Sequence, residues 1–318
     1  IYFMRQLLIP ASVWLLLASC GTNNGATTAG NTASTNNATG TDSATLPPVE
    51  TRAPNTNYQP AFSGQTRIAG VRTATPYAVT AISTELSSPW GIAPLPDGRL
   101  IITQKGGSLR IATVDGALSP LIAGLPRVDA RGQGGLLGIA VDPDFASNRM
   151  LYWVFSEPVT TGNHTAVAKG RLAADERSVE NATVIYRVPP TYNNSMHFGG
   201  RVLVARDGNL FLCTGERSDL ETRPQAQWLN SGLGKIIRIT KEGQPAAGNP
   251  FLNNNKALPE IWSYGHRNPQ GLAFHPVTGD LWESEMGPRG GDEINIIKAG
   301  VNYGWPTIGY GIEYNGQK

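Results

Sequence analysis

One unit recurs four times in this chain, and it restricts the fold more than any other feature. "PWGIAPLPDGRLIITQKGGSLRIA" begins at Pro89, "GLLGIAVDPDFASNRMLYWVFS" at Gly135, "GGRVLVARDGNLFLCTGE" at Gly199 and "PQGLAFHPVTGDLWESEMG" at Pro269. Each copy is a glycine, a short apolar strand, a turn of Asp, Pro or Gly, and a second apolar or aromatic strand. Asp97-Gly98 and Asp207-Gly208 are strong hairpin signals, because glycine adopts the positive φ that tight turns need. The turns fall near 97, 143, 207 and 278, so the spacings are 46, 64 and 71 residues. Multi-strand repeats of roughly 40–50 residues are the signature of a β-propeller, with longer spacings taken up by loops on one face. Strands such as "TAVAKGRLAA" and "KIIRITKEG" lie between the hairpins, and no helical periodicity of any length intervenes. The expected fold is all-β. A β-sandwich, the main rival, does not account for four self-similar hairpins.

The N-terminus reads as an export signal. Met4 reads as the start, Arg5 gives a positive n-region, and "LLIPASVWLLLA" is apolar but short for a membrane span. "LASC", ending at Cys20, resembles a bacterial lipobox, whose cysteine carries the lipid. Gly21 after it is the pattern of outer-membrane lipoproteins facing the periplasm. Residues 1–20 are therefore expected to be a lipoprotein signal. Residues 21–66, rich in Thr, Asn, Ala, Gly and Ser, read as a disordered tether, since such composition buries too little to offset its ordering entropy. Forty-odd flexible residues span roughly 35–40 Å. Residues 67–318 are expected to be the propeller. The chain ends without a closing strand, so the last part of the ring is expected to lie beyond it, because an open ring exposes strand edges. Cys213, inside "LFLCTG", reads as an inert buried thiol. The net charge of +2, with no basic tract, argues against nucleic acid as a partner.

Three polar knots stand where a strand meets a loop: "RGQGGLLGIA" with Gln133, "NNSMHFGGRV" with His197, and "YGHRNPQG" with His266, Arg267 and Asn268. Innermost strands of a propeller converge on a central channel, so knots far apart in sequence are expected to meet in one pocket. Together "GQGGLLGIAVDPDF", "HFGGR", "YGHRNPQGLAFHP", "EMGPRGGDEINII" and "GVNYGWP" resemble the soluble pyrroloquinoline quinone (PQQ)-dependent glucose/sorbosone dehydrogenases, closest to the periplasmic aldose sugar dehydrogenase branch.

That resemblance implies a six-bladed propeller that oxidises aldoses at the anomeric carbon to lactones, with PQQ and calcium as cofactors and an external electron acceptor. It implies His197 as the general base, a role that an imidazole of ordinary basicity suits at neutral pH. It implies Arg267 beside the reactive quinone carbonyl, and Asn268 and Gln133 as cofactor contacts. It implies one calcium at the carbonyls of Gly287 and Pro288, and a second, structural calcium at Glu293, Tyr303 and Tyr314. Calcium takes hard oxygen ligands of this kind. His266 reads as structural, and His164 and His275 as surface or packing residues. Met196 stands where the glucose dehydrogenase branch has an Asp, which bears on substrate choice. Two other functions fit a propeller: a calcium-dependent lactone hydrolase, which would want a metal lined by carboxylate and Asn, and a non-catalytic sugar- or protein-binding lipoprotein, which has no need of His197 and Arg267.

Overall fold

The computed structural model describes residues 46–48, 51–54, 57, 59–60, 62–72 and 75–316. The expected signal and lipid-bearing Cys20 lie outside them, as does most of the expected tether. The chain divides into two units, 1–81 and 82–318; the sequence reading placed the start of the folded domain at 67. In the first unit β1 (Leu46–Pro48) pairs antiparallel with β2 (Ala69–Gly70).

The second unit is all-β and built of four successive antiparallel sheets, each made of consecutive strands. The first holds β3 (Pro89–Pro94), β4 (Leu100–Gln104) and β5 (Ser108–Ala112). The second holds β6 (Leu136–Val141), β7 (Met150–Val159), β8 (Gly162–Leu172) and β9 (Val179–Arg187), with the single helical turn α1 (Phe145–Asn148) between β6 and β7. The third holds β10 (Val202–Val204), β11 (Leu210–Thr214), β12 (Lys235–Ile239) and β13 (Ile261–Tyr264). The fourth holds β14 (Pro269–Phe274), β15 (Leu281–Glu285) and β16 (Glu293–Ile297). Each expected hairpin is present at its expected turn.

Strand side chains alternate between faces, so a sheet with apolar residues at every position must be covered on both sides. β7 shows this. Trp153 and Phe155 pack toward the first sheet with Ile101, Leu109 and Ile122. Tyr152 and Val154 point the other way, to Phe198, Val202 and Leu212 of the third-sheet region. In β11, Leu210 and Leu212 join that same layer, whereas Phe211 and Cys213 face Leu272, Leu281 and Ile297 of the fourth sheet. The sheets therefore stack face to face through three apolar layers. Burying a side chain such as Trp153, which is 0% exposed, contributes about 3 kcal/mol.

The first strand of each sheet is the innermost. β6 lies against β3 and β10, and β10 against β14. The amide of Gly138 donates to the Gly200 carbonyl at 2.8 Å, tying two of these inner segments together. Inner strands of all four sheets line one cavity of about 590 Å³, including Ile92, Ile139, Val202 and Leu272. The polar knots sit at the ends of these inner strands.

Candidate functional site

His197 stands in the loop before β10. Its φ is 45°, in the left-handed region that costs a β-carbon-bearing residue about 1–2 kcal/mol. Several contacts hold it there. Its amide donates to Gln133 Oε1 at 2.9 Å, and its carbonyl accepts from the Arg217 amide at 3.3 Å. Nδ1 faces Glu216 Oε1 at 2.8 Å. Glu216 is 0% exposed, and its other oxygen accepts from the Ser218 amide at 2.9 Å. A carboxylate at Nδ1 fixes the ring and its tautomer, leaving Nε2 to accept a proton. Among the described residues, Nε2 has no protein partner. Two glycines make this approach possible. A β-carbon on Gly215 would stand 2.3 Å from the His197 carbonyl oxygen and 2.7 Å from Asn268 Oδ1, and one on Gly199 would stand 2.5 Å from the Cys213 carbonyl oxygen.

Arg267 and Asn268 lie between β13 and β14 and are almost fully buried. The Arg267 amide donates to Glu285 Oε2 at 2.6 Å, its Nη1 to the Met286 carbonyl at 2.8 Å, and its carbonyl accepts from the Glu216 amide at 2.9 Å. Its guanidinium lies 5.3 Å from the Trp305 ring centre. Asn268 Oδ1 accepts from the Gly199 amide at 3.1 Å. The knots of Gln133, His197 and Asn268 thus meet through direct hydrogen bonds. Arg267 Nε and Asn268 Nδ2 are buried donors without partners.

A buried lysine supports this loop from behind. Lys235 is 0% exposed, and Nζ donates to the carbonyls of Gln225, Ala226 and Leu233 at 2.8, 2.9 and 2.6 Å. The Ala226 carbonyl also accepts from the Gly265 amide, and the Gly234 carbonyl from the His266 amide. The Lys235 ammonium therefore fixes the segment on which the Arg267 loop rests. Burial pulls the Lys235 pKa well down.

On the other side of Arg267 the site is acidic. Glu283 and Glu285 of β15 share a face, and Glu285 lies opposite Glu293 of β16. Ligand atoms of His266, Glu283 and Glu285 all lie within 4.8 Å of one another. Glu283 Oε1 is buried without a partner, and His266 Nδ1, also buried, lies 3.5 Å from Glu285 Oε1. Burial, then the charge of Glu285, push the Glu283 carboxyl far above the carboxylate range, and the same causes raise Glu293 to about 7. Such crowding of buried oxygen donors suits a hard divalent cation. A small cleft beside it is lined by Arg267, Glu285, Gly287, Pro288, Glu293 and Tyr303. Tyr303 also stacks on His266 with ring centres 4.8 Å apart.

Of the residues singled out in the sequence, the structure bonds Gln133 to His197 and Asn268 to Gly199 of the same loop, and brings Arg267, Gly287, Pro288, Glu293 and Tyr303 into one cleft. Tyr314 does not line that cleft; its ring is exposed and its carbonyl accepts from Arg289 Nη2 at 2.7 Å. Met196 is partly exposed beside His197. His164 pairs with Glu157 at 2.6 Å and His275 stacks on Trp282. Glu216, Glu283 and Glu285 were not singled out. Glu216, in "TGERSD", stands at the end of an apolar strand where a carboxylate has no place unless it is paired. Alternation in "LWESE" puts both glutamates on the Leu281 face, so either position held a signal.

The site thus joins a His–Glu pair and an arginine in the loops before inner strands to a carboxylate cluster on β15 and β16. The chain belongs to the glucose/sorbosone dehydrogenase family, whose model matches residues 86–318. It is 43% identical to aldose sugar dehydrogenase YliI of Escherichia coli over 76% of this chain, and spans 64% of that protein's length. The crystal structure of the soluble aldose sugar dehydrogenase from Escherichia coli in the apo-form is similar at 43% identity and a TM-score of 0.70, over 73% of this chain and 67% of that one. The PQQ-bound form of the aldose sugar dehydrogenase from Streptomyces coelicolor is similar at 34% identity and a TM-score of 0.63, over 73% of this chain and 66% of that one.

Proposed function

We propose that this protein oxidises aldose sugars at the anomeric carbon to lactones, using PQQ and calcium. The observation that carries the reading is the His197–Glu216 pair, linked within one site to Arg267 and Asn268. His197 Nε2 takes the proton from the anomeric hydroxyl, and Glu216 stabilises the imidazolium that forms. The C1 hydrogen leaves with its electron pair, the C1–O bond becomes a carbonyl, and an external acceptor later receives the two electrons. PQQ supplies the hydride-accepting carbonyl when bound. The unpartnered donors of Arg267 and Asn268 fit an anionic, acceptor-rich cofactor, and Arg267 would stabilise developing negative charge beside it. Gln133 holds the His197 amide and would border the sugar. The carbonyls of Gly287 and Pro288 would hold the cofactor's calcium. Glu293 and Tyr303, backed by Glu283 and Glu285, would hold the structural one, and the crowded carboxylates support a cation there.

The proposed complete fold is a six-bladed propeller, to which the four large sheets contribute four blades. The proposed location is the periplasmic face of the outer membrane, through a lipid on Cys20; the support for this is the "LASC" pattern alone. The test is reconstitution: full-length apo-protein receives PQQ and calcium, and dye reduction is followed with a panel of aldoses. Calcium-dependent dye reduction is the expected result. Absence of quinone binding in the presence of calcium would overturn the reading.

A further inference from the structure

Arg217 follows Glu216 in the chain and is 1% exposed, with a left-handed φ of 74°. Every contact it makes bears on the loop that carries His197. Its amide donates to the His197 carbonyl. Its Nε donates to the Met196 carbonyl at 3.0 Å, just before the imidazole. Its guanidinium carbon lies 4.0 Å from the ring centre of Phe198, just after it. Its Nη2 donates to the Asn194 carbonyl and to Asn163 Oδ1. Asn163 in turn donates to the Asn194 carbonyl at 2.9 Å and to Asp129 Oδ2 at 2.8 Å.

A buried arginine is expensive to desolvate, and this one has no carboxylate in contact; Asp129 reaches it through Asn163. A rigid planar fork with several donors can do what an apolar residue cannot: bond two carbonyls of one loop while its face covers the next ring. The loop so held places His197 at φ 45° with Nδ1 on Glu216.

We propose that Arg217 is a positioning residue for His197, clamping the residues on both sides of it so that the imidazole meets Glu216. The inference rests on the reading of His197 as the proton acceptor. A misplacement of about 1 Å at such a group costs roughly 100-fold in turnover.

Two variants test it in the full-length protein. Arg217→Lys keeps the charge and loses the fork. Phe198→Leu removes the ring under the guanidinium and keeps an apolar side chain. The first readout is proton NMR of the quinone-free protein, in which the His197 Nδ1 proton shared with Glu216 gives a downfield resonance, assigned by its loss in His197→Gln. This resonance should move or vanish in Arg217→Lys and shift less in Phe198→Leu. The second readout is kinetic, in quinone-loaded protein. Arg217→Lys should lower kcat roughly 100-fold with KM within about threefold. Adding Glu216→Gln to it should cost no more than Glu216→Gln alone, because both changes act on the same imidazole. An unmoved resonance, or losses that multiply in the double variant, would overturn the proposal. Should Arg217→Lys fail to fold, Phe198→Leu decides by the same two readouts. If the wild-type protein oxidises no aldose, the proposed activity falls, and the NMR readout still decides what Arg217 does.

Discussion

The two halves of the site meet their polar demands in opposite ways. On the His197 side most facing atoms are paired: imidazole to carboxylate, carboxylate to the Ser218 amide, loop carbonyls to Arg217, whose Nη1 is the buried exception. On the Glu283 side, carboxylates crowd together, Glu283 Oε1 is buried without a partner, and two carboxyls are raised. The first half is organised by the protein alone. The second has the donor set of a cation site. Under the proposed function, preorganisation is spent where the proton would move, and charge strain is kept where the metal would bind.

The largest expected break is at the base. His197→Gln should lower kcat by roughly 10²–10⁴-fold while leaving quinone affinity near wild type, as read by turnover and by quinone titration. Equal losses in both would dissolve the distinction between the halves. Glu216→Gln should follow, lowering kcat by roughly 10²-fold with a small change in KM, measured by steady-state kinetics.

The acidic half should show itself in stability. A carboxyl whose pKa is raised on folding binds its proton more tightly in the native state, so stability is lost as pH rises from the unfolded value through the folded one and levels off above it. For Glu293 that window runs from 4.5 to about 7. Through Glu293 alone, calcium-free protein should lose about 2 kcal/mol, or roughly 4–8 °C in Tm, between pH 5 and pH 8, the shift being discounted for partial exposure, and Glu283 adds to the loss in the same direction. Added calcium should restore it at pH 8. Glu293→Gln should flatten the slope and weaken the calcium effect, both read by thermal melts.

The smallest effect belongs to the residue that joins the halves. Cys213 Sγ donates to the Pro269 carbonyl at 3.0 Å, linking β11 to β14, and burial pushes its pKa up to about 12. Cys213→Ala should cost about 1–2 kcal/mol with turnover unchanged, and native protein should resist thiol reagents.

The same contrast explains what could be read from the sequence. The hairpins were legible because their turns carry Asp-Gly and their strands are continuously apolar. His197 and Arg267 were legible because rare polar types interrupt such runs. Glu216 and Glu283 carried the signal of a carboxylate that must be paired but not the identity of its partner, and Arg217 and Lys235 carried none, because each works through partners brought in by pairing or stacking. Nothing in "GERS" shows that its glutamate faces a residue in another loop. Tyr314 was singled out on resemblance; its ring is exposed and its carbonyl bonds Arg289.

The ammonium of Lys235 has a practical consequence. Held by three carbonyls and shielded from solvent, it should escape amine-reactive reagents that modify exposed lysines. Its labelling would mean that the segment under Arg267 had opened, so this one side chain serves as a built-in reporter of whether that loop is closed.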